Sequence, residues 1–168
     1  MLEQTLDCLV EAAVGAQPLH AVRPPGLAAF LDHLPSAQSG FLRGLNFTAA
    51  SQELVFLPGD GGIAGAVLGL GDDASPTAFG DLAFRLPEAS AWRLQPGEYD
   101  AAAATLGFCL GAYRYHEFKS PKRRAARLVA PDGQRRSLAA AAATWMVRDL
   151  VNTPANLLAT TAELSAQA

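Results

Sequence analysis

Glu53-Leu54-Val55-Phe56-Leu57-Pro58, then Gly59-Asp60-Gly61-Gly62, then Ile63-Ala64-Gly65-Ala66-Val67-Leu68-Gly69-Leu70 follow one another without a break, and they decide the fold. Two apolar runs joined through an Asp-Gly pair predict a β-hairpin, because glycine reaches the positive φ angles that tight turns require. The second run is apolar at successive positions, not only at alternate ones. Such a strand belongs inside a sheet, with helices covering both faces.

Upstream of the hairpin, Leu27, Phe30, Leu31 and Leu34 keep the i, i+3, i+4, i+7 spacing of a buried helix face, and Pro35 ends that helix. Ser36 can open another, carrying Phe41, Leu42 and Leu45. Leu19 to Val22 is a short apolar segment stopped by Pro24-Pro25. At the amino terminus Leu2, Leu6, Leu9 and Val10 predict a short opening helix over 2–14. Downstream, Ser75-Pro76 has the N-cap and N1 pattern of a helix reaching about Phe84. Ala91–Leu94 reads as a short strand, Asp100 opens a helix to about Tyr115, and Ala126–Ala130 is a last strand. A long helix covers about Arg135 to Leu150 and ends near Pro154, and Thr160 with Glu163 forms a capping box that opens one more. Helices alternating with short strands predict an α/β fold: a mixed β-sheet flanked by helices on both faces.

Composition agrees. The chain has 168 residues, 50% hydrophobic and 17% charged, with a formal net charge of −3. This excludes a disordered chain, and the length suits one domain with a closed core. Alanine supplies much of the apolar content and isoleucine occurs only at Ile63, a balance that favours helix over strand. Cys8 and Cys109 belong to no C-x-x-C pattern, so they read as two thiols, with a disulfide between them left open. The acidic start is unlike a signal peptide, and no window approaches the roughly 18 apolar residues of a membrane span. A cytoplasmic chain without membrane contact is the expectation. The acidic balance also argues against a nucleic-acid partner, which would need a surplus of Lys and Arg.

Chemistry-bearing patterns are few. His116-Glu117 begins an H-E-x-x-H helix, but Ser120 stands where the second histidine belongs, which leaves His116 as a helix-end residue. Gly69-Leu70-Gly71-Asp72-Asp73-Ala74 fits the loosest dinucleotide fingerprint, yet its acids lie where a pyrophosphate would sit. The simpler reading is a loop leaving a buried strand. Lys119, Lys122, Arg123, Arg124 and Arg127 form a basic run, either a solvated loop or a patch for an anion. No catalytic, cofactor-binding or metal-ligating set emerges from the residues.

Arg148-Asp149-Leu150-Val151-Asn152-Thr153-Pro154-Ala155-Asn156 resembles the R-D-L-x-N-T-P-x-N signature of the leucyl (cytosol) aminopeptidase family. Leu110-Gly111-Ala112-Tyr113-Arg114-Tyr115-His116-Glu117-Phe118-Lys119 is similar to that family's L-G-x-Y-x-F-x-x-Y-K stretch, and Gly65–Gly71 to its glycine-rich strand. The resemblance implies a macro-domain-like N-terminal domain over 1–150. Residues 151–168 would then be the interdomain linker and the start of a helix leading to a C-terminal catalytic domain. Arg148, Asn152, Pro154 and Asn156 carry over as members of the interdomain signature only. Locally, Pro154 stops a helix and the asparagines can satisfy backbone groups freed around it. By the same resemblance the parent is a hexameric aminopeptidase using two divalent ions, zinc or manganese, held entirely in the catalytic domain. Catalytic, cofactor-binding and metal residues are accordingly expected to be none in this segment, and the domain is expected to support assembly and active-site access. The alternative is a free-standing macro-like module for ADP-ribose or a similar nucleotide, resting on the glycine loop and the basic run.

Overall fold

The computed structural model describes residues 6–11, 14–118 and 122–154. Its centre is a six-stranded sheet in the order β1-β6-β5-β2-β4-β3. The strands are β1 (Leu9–Val10), β2 (Gln17–Val22), β3 (Leu54–Gly59), β4 (Gly62–Gly69), β5 (Ala91–Leu94) and β6 (Arg127–Val129). All neighbours are parallel except β3 and β4, which form the hairpin. Its register puts Val55 opposite Val67 and Leu54 opposite Leu68, with an irregularity at Leu57/Pro58. Pro58 is tolerated because β3 is an edge strand. β4 lies inside the sheet, and its last five residues are buried.

Side-chain alternation along the inner strands distributes them between two cores. Ala66 and Leu68 of β4, with Leu19 and Ala21 of β2, face one core together with Trp92, Phe108 and Leu128. Val67 and Val22 face the other, with Leu42, Phe47 and Leu57. Helices α1 (Leu27–His33) and α2 (Ser36–Gly44) cover the second core through Phe30, Leu31 and Leu42. The first core lies under a 3-10 turn (Pro76–Phe79), α3 (Leu82–Arg85), α4 (Ala101–Ala112) and α5 (Arg135–Asn152). The result is a mixed sheet between helical layers, as the sequence predicts.

Three segments differ from the sequence reading. Leu9 and Val10 form a strand, not part of an opening helix, and pair with Leu128 and Val129. The edge of β6 offers polar backbone groups that need partners: the Leu128 N–H donates to the Cys8 carbonyl and the Ala130 N–H to the Val10 carbonyl. The helix expected from Ser75 to Phe84 divides at Gly80 into the 3-10 turn and α3. The helix from Asp100 stops at Ala112, three residues short of Tyr115, with the Asp100 carboxylate capping it through the Ala102 N–H at 2.8 Å. The capping box at Thr160 and Glu163 lies outside the described residues.

Backbone approach explains why α4 carries Gly107 and Gly111. A Cβ at Gly107 would fall 1.8 Å from the Pro76 carbonyl oxygen, and one at Gly111 would fall 1.5 Å from that of Gly80. The helix therefore rests directly on the backbone of the 76–80 segment. That contact sets the height of α4 above the sheet, and with it the position of α5.

Candidate functional site

The bonded pairs that link the two stretches carrying the family resemblance are 36 to 39 positions apart, and the packing of α4 on α5 joins them. Trp145 of α5, almost fully buried, donates its indole N–H to the Cys109 carbonyl at 2.9 Å. Tyr113, just past α4, meets the Trp145 ring edge-on at 5.7 Å between centroids. Its hydroxyl donates to Asp149 Oδ1 at 2.8 Å and accepts from Asn152 Nδ2 at 3.0 Å. Arg148 donates to the Leu110 carbonyl at 2.8 Å, and its guanidinium carbon lies 5.3 Å from the Tyr113 ring centroid. Thr153 returns both its N–H and its hydroxyl to the Asp149 carbonyl, while Tyr115 and Thr153 share a hydroxyl contact of 3.0 Å. Burial pushes the Tyr113 phenol above its ordinary value, with the Asn152 hydrogen bond pulling the other way. At neutral pH it stays a neutral donor, so the arrangement is a structural clasp and not a base or nucleophile.

The signature residues divide within this clasp. Arg148 and Asn152 reach back to the Leu110–Tyr113 segment. Pro154 is exposed just beyond the end of α5, and Thr153 before it is extended (φ −77°, ψ 125°), the conformation a following proline favours. Asn156 lies outside the described residues. The sequence reading assigned the asparagines to the backbone groups freed at Pro154. Asn152 instead serves Tyr113, and Thr153 takes up the Asp149 carbonyl.

The glycine loop after β4 has a packing explanation. A Cβ at Gly69 would meet the Ala50 carbonyl oxygen at 2.2 Å, and Gly71 (φ +52°) lies against the backbone of Ser51. Arg23 occupies the loop's carbonyls, donating to Gly71 at 3.1 Å and Asp73 at 3.0 Å. Asp73 accepts from the Ser75 N–H and hydroxyl at 2.8 and 2.6 Å, and these bonds hold its carboxyl below the usual carboxylate range. This loop leaves the carboxyl end of β4, whereas Arg123, Arg124 and Arg127 approach or enter the amino end of the parallel strand β6. The two features that supported a nucleotide module thus lie at opposite ends of the parallel strands.

The described arginines of the basic run are exposed at their positions. Arg123, Arg124 and Arg127 line a cavity of about 360 Å³, joined by Arg114 and His116, which the sequence reading did not connect to them. His116 stands four residues past the end of α4 and so is not a helix-end residue. A signal was available in principle: both segments bracket the same strand entry. Lys119 lies outside the described residues. The half-buried His20 meets Phe30 with tilted rings at 5.1 Å between centroids, and burial pushes its imidazole below the ordinary value. His33 meets the Ala29 carbonyl one turn back. Cys8 and Cys109 are free thiols in the buried core. Among the described residues, no group of three or more His, Cys, Asp or Glu side chains converges as a metal site would require.

Comparison with known proteins places these features. A family model described as the N-terminal domain of M17 aminopeptidases matches residues 17–131. That range excludes Arg148–Asn156, so the family match and the signature come from separate parts of the chain. Among solved structures, the cytosol aminopeptidase from Coxiella burnetii is similar, with a TM-score of 0.77 and 25% identity over 89% of this chain and 34% of that one. The bottromycin maturation enzyme BotP in complex with Mn gives a TM-score of 0.57 at 27% identity over 85% of this chain and 33% of that one. A mutant tomato leucine aminopeptidase shares the fold, with a TM-score of 0.55 at 21% identity, over 89% of this chain and 38% of its own. No curated protein matches the chain. The chain spans about a third of the length of these structures. Two helical layers on a mixed sheet, the match over residues 17–131 and the structural likeness agree: the chain belongs to the M17 aminopeptidase family, as its N-terminal domain.

Proposed function

We propose that this chain is the non-catalytic N-terminal domain of a metal-dependent leucyl aminopeptidase, with α5 as the pillar between this domain and a C-terminal catalytic domain. The observation that carries the reading is the clasp: α5 is held to α4 by Tyr113, Trp145 and Arg148, while Met146, Val147, Leu150 and Val151 stay exposed along it. A helix so anchored on one side, with an uncovered apolar stripe on the other, suits docking of a further domain. In this reading residues 1–150 form the domain and 151–168 the linker and first helix of the handover, with Arg148, Asn152, Pro154 and Asn156 as the interdomain signature. The parent is cytoplasmic and hexameric, and its two divalent ions, zinc or manganese, are bound wholly by the catalytic domain. The N-terminal domain serves oligomer assembly and access to the active site.

Two measurements test this. The purified chain is expected to release no leucine from leucyl anilide with added manganese or zinc, and metal-dependent turnover would overturn the non-catalytic assignment. In a polypeptide carrying the catalytic domain, Val147→Asp with Val151→Asp is expected to lower hexamer content in light scattering while leaving the isolated chain's melting temperature unchanged. Intact hexamers in that variant would remove α5 from the interdomain role.

A further inference from the structure

Neither the family assignment nor the clasp uses the cavity at the amino ends of the parallel strands. It encloses about 360 Å³, with Arg114 arriving from the segment after α4 and Arg123, Arg124 and Arg127 from the entry to β6. The whole chain carries a net charge of −3, so this concentration of guanidinium is a local feature and not a by-product of composition. Phe84, Ala112 and Trp145 supply an apolar wall.

Two of the guanidiniums are held in place. The Arg114 group lies over the Phe84 ring at 3.8 Å from its centroid and donates to the Tyr113 carbonyl at 2.6 Å. Arg123 donates through one nitrogen to the Leu86 carbonyl. Each contact uses part of a fork with five N–H donors, so the remainder stays available. Among the described residues, the side chains of Arg124 and Arg127 have neither a hydrogen-bond nor an ion-pair partner. Glu88 accepts from the Arg124 backbone N–H and not from its guanidinium. Asp7, the one carboxylate among the described residues that line the cavity, forms no ion pair with any of the four. Like charges gathered in a hollow repel unless an anion lies between them.

We propose that this cavity binds a small, multiply charged phosphate anion, with Arg124 and Arg127 as its direct ligands and Arg114 and Arg123 as a pre-positioned second pair. A compact phosphate can accept from several guanidinium forks at once, each as a charge-assisted pair. The site is one compact hollow and not a stripe that could track a nucleic-acid backbone. It is also distinct from the glycine loop, which lies at the opposite, carboxyl end of the parallel strands.

Calorimetric titration of the chain with inorganic pyrophosphate at low salt tests the proposal without reference to peptidase activity. One saturable site per chain is expected. Arg124→Gln with Arg127→Gln is expected to weaken binding by at least about tenfold, since each removes a charge-assisted pair. Both residues are exposed and unpartnered, so the variant should melt with the parent chain. Arg43→Gln on α2, across the sheet, serves as the control and should leave binding unchanged. Citrate is expected to bind at least about tenfold more weakly than pyrophosphate, given its planar carboxylates. Absence of saturable pyrophosphate binding, equal affinity in the double variant, or citrate binding as tight as pyrophosphate would each overturn the assignment.

Discussion

Tyr113 illustrates what a single hydroxyl does here. It bridges Asp149 and Asn152 across the α4–α5 joint, and phenylalanine in its place keeps the ring contact with Trp145 but removes one hydrogen bond from each of the two residues. Tyr113→Phe is expected to destabilise the chain by about 1–2 kcal/mol, read from the urea midpoint with an unchanged slope. An unchanged midpoint would show that the clasp contributes contact but no net stability. The cysteines predict a different readout. A hydrogen bond between the two thiols, and then burial, push Cys8 far above the ordinary thiol range, where it is a poor nucleophile. Iodoacetamide should therefore label neither Cys8 nor Cys109 in the native chain at neutral pH, and both after unfolding. Asp73 links charge to the turn it caps. Its folded pKa is depressed, so its contribution is present above the ordinary value of 3.8 and fades as pH falls through the folded value. Asp73→Ala should melt below the parent at pH 7, and the gap should close on acidification. A gap that persists at the lowest pH would assign the loss to something other than the carboxylate.

At the scale of elements, the seat of α4 separates two kinds of glycine. Gly107 has the Pro76 carbonyl where a Cβ would go, whereas Gly40 in α2 has nothing within 4 Å. Gly107→Ala must lift α4 off the 76–80 backbone and is expected to cost about 2–3 kcal/mol. Gly40→Ala removes unfolded-chain entropy at an open helical site and is expected to stabilise by up to about 1 kcal/mol. Paired urea melts check both signs, and equal effects would refute the close approach. The same seat explains why one helix expected from Ser75 to Phe84 becomes a 3-10 turn and a short α3. Gly80 lies under Gly111, and a continuous α-helix would place a turn of backbone where α4 already lies.

For the whole molecule, the mixed sheet, its interior β4 and the helices on both faces were legible because each rests on local patterns. Alternation and continuous apolar runs report which faces a strand buries, and Asp60-Gly61 between such runs reports the turn. The helix over 27–33 follows from apolar spacing alone, and its end at His33–Leu34 from Pro35. The family was legible too, since Arg148–Pro154 is a contiguous string. What the string does was not, because Tyr113 stands 36 positions before Asp149 and no periodicity links them. The two-residue β1 carries too little pattern to reveal itself: Leu9 and Val10 fit a helix face equally well, and only the unpaired edge of β6 makes them a strand. The arginine cavity has the same origin. A sequence can count Arg123, Arg124 and Arg127, but the return of the chain after α4 brings Arg114 and His116 beside them. That return also sends the basic segment to the strand ends opposite the glycine loop. Sequence alone therefore determined the elements, the fold class and the family, since these depend on interactions within a few residues. Tertiary structure decided the joint, the short strand and the cavity, since each depends on segments whose nearness exists only after the sheet has closed.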